Sequence, residues 1–343
     1  MSSASASKPR HRGTVRRARK AAWLPAGAAL LLGLSGCGLS PSTSAVPEVR
    51  PATIAAIDGA GDREVTVTSK NFTEQIILGK MAVLTAKAAG FDVTDMTNVP
   101  GSVPSRNMLV DGDAQIGWEY TGTAWLTYMG HEEALPDAEQ QWQAVKDEDA
   151  ANGLDWGRPS AVNNTYAFAV NQETARKYGL KTMDDIRTKV PVQDRQFCVE
   201  SEFNSRQDGM NPFLQAYGIP RGSADGVPEA NVSVMDTGSI YAATGSGDCT
   251  FGEVFTTDGR IPALDLVVLQ DTRRFFPQYN ASPVFNAQLV RDYPQLPERF
   301  QEVAERLSDD TMRSLNYQVD VEGKDPGDVA EQWMVDQGLI KEG

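Results

Sequence analysis

Between residues 64 and 118 the hydrophobic pattern changes repeatedly from the two-residue repeat of a strand to the longer repeat of a helix. That alternation limits the fold more than any other feature of the chain. Residues 64 to 69 set Val and Thr against polar neighbours, as a half-buried strand does. Residues 74 to 89 carry the helical spacing Ile77, Met81, Leu84, Ala88. Residues 91 to 97 read as a second strand, 105 to 111 as a helix and 114 to 118 as a third strand. Strand, helix, strand in this order implies parallel pairing through right-handed crossovers. A later series runs through segments 166 to 170, 172 to 178, 183 to 188 and 196 to 199. It continues with a helix near 210 to 217, a strand at 232 to 235 and a helix at 238 to 244. Residues 264 to 270 form a strong β-run, and the remainder reads as mostly helical, notably 298 to 307, 310 to 315 and 326 to 334. Two such series predict an α/β protein of two lobes with a ligand cleft between them, the usual place for a small-molecule site.

Ahead of these segments lies a different kind of sequence. Lys8, Arg10, Arg12, Arg16, Arg17, Arg19 and Lys20 precede an apolar run from 21 to 34, and no acidic residue occurs before Cys37. This is the pattern of a secretion signal over residues 1–36, and the apolar run is too short for a bilayer span of roughly 20 residues. Leu34-Ser35-Gly36-Cys37 resembles a bacterial lipobox, which predicts lipidation of Cys37 and anchoring at the outer face of the cytoplasmic membrane. Residues 37–61, rich in Ser, Pro, Ala and Thr, read as a flexible tether.

Removal of the signal leaves 25 basic against 46 acidic residues, a formal charge of −21. So acidic a surface repels phosphate backbones and argues against nucleic-acid binding. His11 departs with the signal, leaving His131 alone, in a polar stretch that reads as exposed loop. A serine hydrolase triad, a papain-like Cys/His pair and a His-rich metal site all need more histidine than that. Glycine-rich phosphate loops and CxxC pairs are missing too, so the sequence points to no catalytic residue, no metal site and no cofactor. Cys198 and Cys249 edge apolar segments of the second series, in an oxidising compartment, and a disulfide between them is expected ahead of two buried free thiols.

Four segments then carry the functional signal: Ser69-Lys70-Asn71-Phe72-Thr73-Glu74-Gln75, Trp118-Glu119-Tyr120-Thr121-Gly122-Thr123, Asn163-Asn164-Thr165-Tyr166-Ala167 and Met235-Asp236-Thr237-Gly238-Ser239-Ile240-Tyr241. Further along are Glu202-Phe203-Asn204-Ser205-Arg206-Gln207-Asp208-Gly209, Thr257-Asp258-Gly259-Arg260-Ile261, Phe275-Phe276-Pro277-Gln278-Tyr279 and Leu315-Asn316-Tyr317-Gln318-Val319. In this order they resemble the glycine betaine/carnitine/choline-binding proteins of osmoprotectant ABC importers, from about residue 64 to 335.

The resemblance implies a type II periplasmic-binding-protein fold with lobe one at 62–162 plus 258–343, lobe two at 163–257 and two hinge crossings. It implies capture of a quaternary-ammonium solute in an aromatic cage, delivery to a membrane permease by lobe closure, and a monomer without enzymatic activity. Tyr120 and Tyr166 match cage tyrosines, and Tyr241 matches a third on the opposite lobe. For the fourth wall Tyr217 ranks ahead of Phe203 and Phe255. Lys70, Arg206 and Thr123 stand where a ligand carboxylate needs a cation or a donor. Asn164, an amide where an acidic side chain would attract choline, leans towards a zwitterion. Pro100-Gly101-Ser102-Val103 departs from the family's Gly-Gly-Thr-like turn at the cleft. Competing readings keep the fold but change the solute to an amino acid or a phenolic compound, or make the chain an extracytoplasmic enzyme.

Overall fold

The structure is a computed structural model and describes residues 46–343. The signal 1–36, Cys37 and the start of the tether lie outside the described residues. Two five-stranded sheets and a small ribbon organise the chain, with strands numbered in chain order. They are β1 Val49–Pro51, β2 Glu64–Lys70, β3 Asp92–Val99, β4 Ile116–Tyr120, β5 Leu154–Trp156 and β6 Tyr166–Val170. Then follow β7 Phe197–Val199, β8 Val232–Val234, β9 Phe251–Phe255, β10 Val267–Val268, β11 Ala281–Asn286 and β12 Ile340–Glu342.

The first sheet runs β3-β2-β4-β11-β5. β2 pairs in parallel with β3 and with β4, and the helices α1 (Thr73–Ala88) and α2 (Ser102–Asp111) make the two crossovers that the alternating pattern predicts. Val67, opposite Asp95 on one side and Ile116 on the other, fixes the register at the sheet centre.

α1 is the central helix. Fourteen of its residues are buried, which explains a weak amphipathic signal: a helix enclosed on every side needs no polar face. It packs on β2 and β3 and against the helices Asp309–Asp320 and Pro326–Asp336. Ile77, Leu78, Met81 and Leu84 are fully buried, each contributing about 1.5–3 kcal/mol. Buried Lys80 is neutralised by Asp95 of β3 at 2.6 Å. A Cβ on Gly79 would lie 2.7 Å from Thr97 Cγ2 and 2.8 Å from Ser69 Cβ, so only glycine lets α1 approach the strands this closely.

The second sheet runs β10-β6-β9-β7-β8, with β6 antiparallel to β9 and to β10, and β7 parallel to β8 and β9. A disulfide joins Cys198 on β7 to Cys249 just before β9, with Cα atoms 5.9 Å apart. The chain passes between the sheets twice, after β5 and before β11. These two connections pair through an isolated bridge between Asn163 and Asn280. Asn163 Oδ1 also accepts from Tyr279 N at 2.7 Å.

Three expectations are corrected. Residues 46 to 61 are not a free tether: β1 pairs with β12, and Val46, Ile54 and Ile57 are buried, three anchors too widely spaced to register as periodicity. The stretch after residue 264 is mostly helical but also holds a strand that the sequence reading missed, β11, which lies between β4 and β5 inside the first sheet. Pro283 disguised it, since proline is rarely found within a central strand, yet its carbonyl still accepts from Gly157 N at 2.8 Å. The β-run at 264 to 270 supplies only the two residues of β10, and these join the second sheet although they follow residue 258.

Candidate functional site

A cavity of about 620 Å³ opens between the ends of the two sheets. Lys70 ends β2, Tyr120 ends β4, Glu200 follows β7, Asp236 follows β8 and Phe255 ends β9, and all five line it. Carboxyl ends of strands are where open α/β sheets hold their ligands, because chain connections there leave a crevice.

Aromatic rings form a continuous wall. Tyr120 lies 6.1 Å from Phe72, Phe72 5.2 Å from Phe255, Phe255 5.3 Å from Tyr166, and Tyr166 5.6 Å from Tyr279, all between ring centroids. The first two rings stand on the β4 and β2 ends of the first sheet, and Phe255 and Tyr166 on the second. Tyr279 is brought in by the connection to β11. A Cβ on Gly122 would sit 2.7 Å from Gln278 O and 2.8 Å from Tyr279 Cδ1, so this glycine admits the Tyr279 ring beside Tyr120. Burial pushes the Tyr120, Tyr166 and Tyr279 phenols well above their ordinary value, so all three are neutral.

Cations at the cavity are each paired. Lys70 Nζ lies 2.7 Å from Glu119 Oε2 and 5.0 Å from the centre of the Tyr120 ring. Arg206 donates from Nε and Nη2 to the two oxygens of Asp208, both at 2.7 Å, and from Nη1 to Glu202 at 3.1 Å. Its Nη2 also reaches Thr123 Oγ1 at 3.4 Å, and its guanidinium lies 5.4 Å from the Tyr166 ring centre. Burial alone would push the Asp208 carboxyl up, but the bonds and charge of Arg206 hold it below the usual carboxylate range. An ammonium has three donors and a guanidinium five, so each cation keeps at least one N–H for a ligand acceptor. Glu202 also accepts from Ser102 N at 3.1 Å, joining the second sheet's side to the start of α2 across the cavity.

Behind the wall lie two buried carboxyl groups. Glu74 accepts from the Tyr120 hydroxyl at 2.7 Å, from Thr257 Oγ1 at 2.5 Å and from Asn316 Nδ2 at 3.3 Å. Burial pushes its carboxyl up, opposed by these hydrogen bonds. Glu253 on β9 accepts from Glu200 N at 2.7 Å, and burial pushes it to about 8.

The structure brings Lys70, Tyr120, Thr123, Asn164, Tyr166 and Arg206 onto one cavity. Asn164 is buried there, and its Oδ1 has no protein partner. Tyr241 and Tyr217 do not line it, which corrects both expectations. Tyr241 sits fully buried one layer back, where its hydroxyl accepts from Phe255 N at 2.9 Å and Arg260 covers its ring at 4.3 Å. Tyr217 packs on Phe213 at 4.8 Å and donates to Asp271, away from the cavity. Phe203 is likewise buried, behind Tyr166 at 4.8 Å. Phe255 occupies the wall instead, with Phe72 and Tyr279, which the sequence reading did not single out. An apolar residue two positions past Lys70, in a strand-to-helix turn that is normally solvated, was the available signal for Phe72. The departing turn contributes Pro100, Gly101 and Ser102 to the rim, and His131 lies outside the site, stacked on Trp125 at 3.5 Å.

Comparison with known proteins agrees with this architecture. Residues 63–336 match the family described as the substrate binding domain of an ABC-type glycine betaine transport system. A glycine-betaine-binding protein of Pseudomonas aeruginosa is 34% identical over 284 residues, covering 81% of this chain and 89% of that protein. An ergothioneine transport permease/ergothioneine binding protein of Helicobacter pylori is 29% identical over 279 residues, 81% of this chain and 48% of that protein. A crystal structure of a glycine betaine/carnitine/choline ABC transporter superposes with a TM-score of 0.65 at 30% identity, covering 79% of this chain and 98% of that one. The two-lobed α/β fold is thus shared, and the chain belongs to the family of substrate-binding domains of ABC-type glycine betaine transport systems.

Proposed function

We propose that this chain captures a small solute carrying a trimethylammonium group (glycine betaine, carnitine or choline) between its two sheets and presents it to an ABC permease. One observation carries the reading: rings from both sheets, Tyr120 and Phe72 on one side and Tyr166 and Phe255 on the other, meet on a single cavity of about 620 Å³. A trimethylammonium group has no hydrogen-bond donor and spreads its charge over methyl surface, so aromatic faces suit it. Each ring contributes about 0.5–2 kcal/mol, most in a dry site. A zwitterion's carboxylate finds N–H donors on Lys70 and Arg206 and the hydroxyl of Thr123. Asn164, Tyr120 and Tyr166 complete the head-group side.

The lobes we propose are 62–162 with most of 258–343, and 163–257 with the short β10 strand. Neither holds a full cage, so binding favours the arrangement in which they meet, and hinge motion about the two connections releases the solute to the permease. The work of transport falls to a separate ATPase. In this reading the chain is a monomer that leaves its ligand chemically unchanged, held at the outer face of the cytoplasmic membrane by lipid on Cys37.

Titration calorimetry with glycine betaine, carnitine, choline, ectoine, proteinogenic amino acids and phenolic compounds tests this. A trimethylammonium solute is expected to bind in the micromolar range or tighter. Binding confined to amino acids or phenolics would replace the ligand assignment while keeping the fold. A bound solute converted on prolonged incubation would make the chain an enzyme.

A further inference from the structure

Glu74 differs from the other carboxylates packed near the cage. Glu119, Asp208 and Asp258 each face a Lys or Arg; Glu74, like Glu200 and Glu253, makes no ion pair among the described residues, and unlike those two it is bonded to a ring of the wall. It is 2% exposed, does not line the main cavity, and stands in the first turn of α1. Tyr120, Thr257 and Asn316 each donate to it, an arrangement that favours the ion against burial, which pushes the carboxyl up. The amino end of a sixteen-residue helix adds favourable potential at the same point. A carboxyl without a cationic partner thus stands one hydrogen bond behind a wall of the cavity, with neutral donors and a helix end favouring its ionised form against burial.

We infer that Glu74 is the positioning residue and internal counter-charge of the cage, fixing Tyr120 by its hydroxyl and making the cavity prefer a cationic head group to a neutral one of the same shape. This rests on the trimethylammonium reading and adds to it a residue that never touches the solute. Two effects act together. A phenol that donates to a carboxylate is polarised towards phenolate, which enriches the ring face that a cation meets. The charge itself, unbalanced by any protein cation and separated from water, attracts the solute's positive group more strongly than an exposed carboxylate would. Thr257 follows β9 by two residues and Asn316 belongs to the helix Asp309–Asp320, so Glu74 also ties Tyr120 to the far side of α1.

Calorimetry on the wild type, Glu74→Gln and Tyr120→Phe separates charge from shape. The probes are glycine betaine and choline, each paired with the tert-butyl analogue in which carbon replaces the quaternary nitrogen. Wild type should favour each cation over its isostere, and Glu74→Gln should cut that preference by about 10-fold while isostere affinity stays within about 2-fold. Tyr120→Phe, which keeps the ring and severs the link, should show a smaller loss of the same kind, and the double variant should not exceed Glu74→Gln. Equal weakening of cation and isostere in Glu74→Gln, or an unchanged preference, overturns the inference and leaves the ligand assignment standing. If Glu74→Gln does not fold, an unchanged preference in Tyr120→Phe overturns it. Should the wild type bind neither cation, the ligand assignment falls and the inference with it.

Discussion

Raising the pH from 6 to 8 should weaken the fold through a single side chain, Glu253. It is fully enclosed on β9, and burial lifts its carboxyl from 4.5 to about 8, against the Glu200 N–H bond that favours the ion. The folded form therefore holds a proton that the unfolded chain has released. Stability from this group is fully present below pH 4.5 and drains away as the pH rises towards 8. At roughly 1.4 kcal/mol per pH unit, and allowing for the onset of ionisation near 8, the loss between pH 6 and 8 is about 2 kcal/mol. For a domain of this size that is a fall of about 3–4 °C in Tm. Glu253→Gln keeps an acceptor for Glu200 N and carries no proton to lose. Thermal or urea unfolding of both proteins at each pH gives the difference directly, and other carboxylates cancel. The variant should gain about 2 kcal/mol on the wild type between the two pH values. Parallel pH profiles would show that Glu253 is ionised in the folded protein and refute the argument.

Other substitutions probe the wall and its supports. Tyr166→Ala should weaken trimethylammonium binding by about 10-fold or more by calorimetry, because a central ring is lost. Tyr217→Phe should leave affinity within about 2-fold while lowering Tm, since that hydroxyl serves Asp271 and not the cavity. Replacing Cys198 and Cys249 by serine should lower unfolding free energy by about 4 kcal/mol, from the loop-closure entropy of residues 51 apart, as read from denaturant melts. Arg206→Met leaves Asp208 and part of Glu202 without a cation and should destabilise by about 3–5 kcal/mol, with ligand affinity falling too.

What the sequence disclosed depended on how local the determinant was. The run from β2 to β4 was legible because each strand and helix repeats its own period within five to sixteen residues. β11 was not, since Pro283 contradicts a central strand and only long-range pairing with β4 and β5 overrides that. The same division holds at the cavity. Tyr120, Thr123 and Lys70 occur at strand ends, where local pattern and motif agree on their direction. Tyr241 carries an equally suggestive motif, but its depth depends on Phe255 and Arg260, which arrive later in the chain and stand in front of it. Tyr279 owes its place to the Asn163 contact and to space left by Gly122, neither visible in its own neighbourhood. Glu74 reads locally as an ordinary acidic residue of a helix's first turn; its lack of a cationic partner is a property of the assembled core.

The bridge between Asn163 and Asn280 bears on how such a molecule moves. Two strands of chain clasped side by side resist shear and twist, so rotation of one sheet relative to the other is steered about a line near that clasp. Tyr166 sits three positions after one clasped residue and Tyr279 one position before the other, so these rings ride close to the axle and sweep through little space. Ser102 and Glu202 meet across the cavity, so their hydrogen bond must break when the sheets separate. A departing solute would thus part first from the mouth and last from the two tyrosines at the pivot.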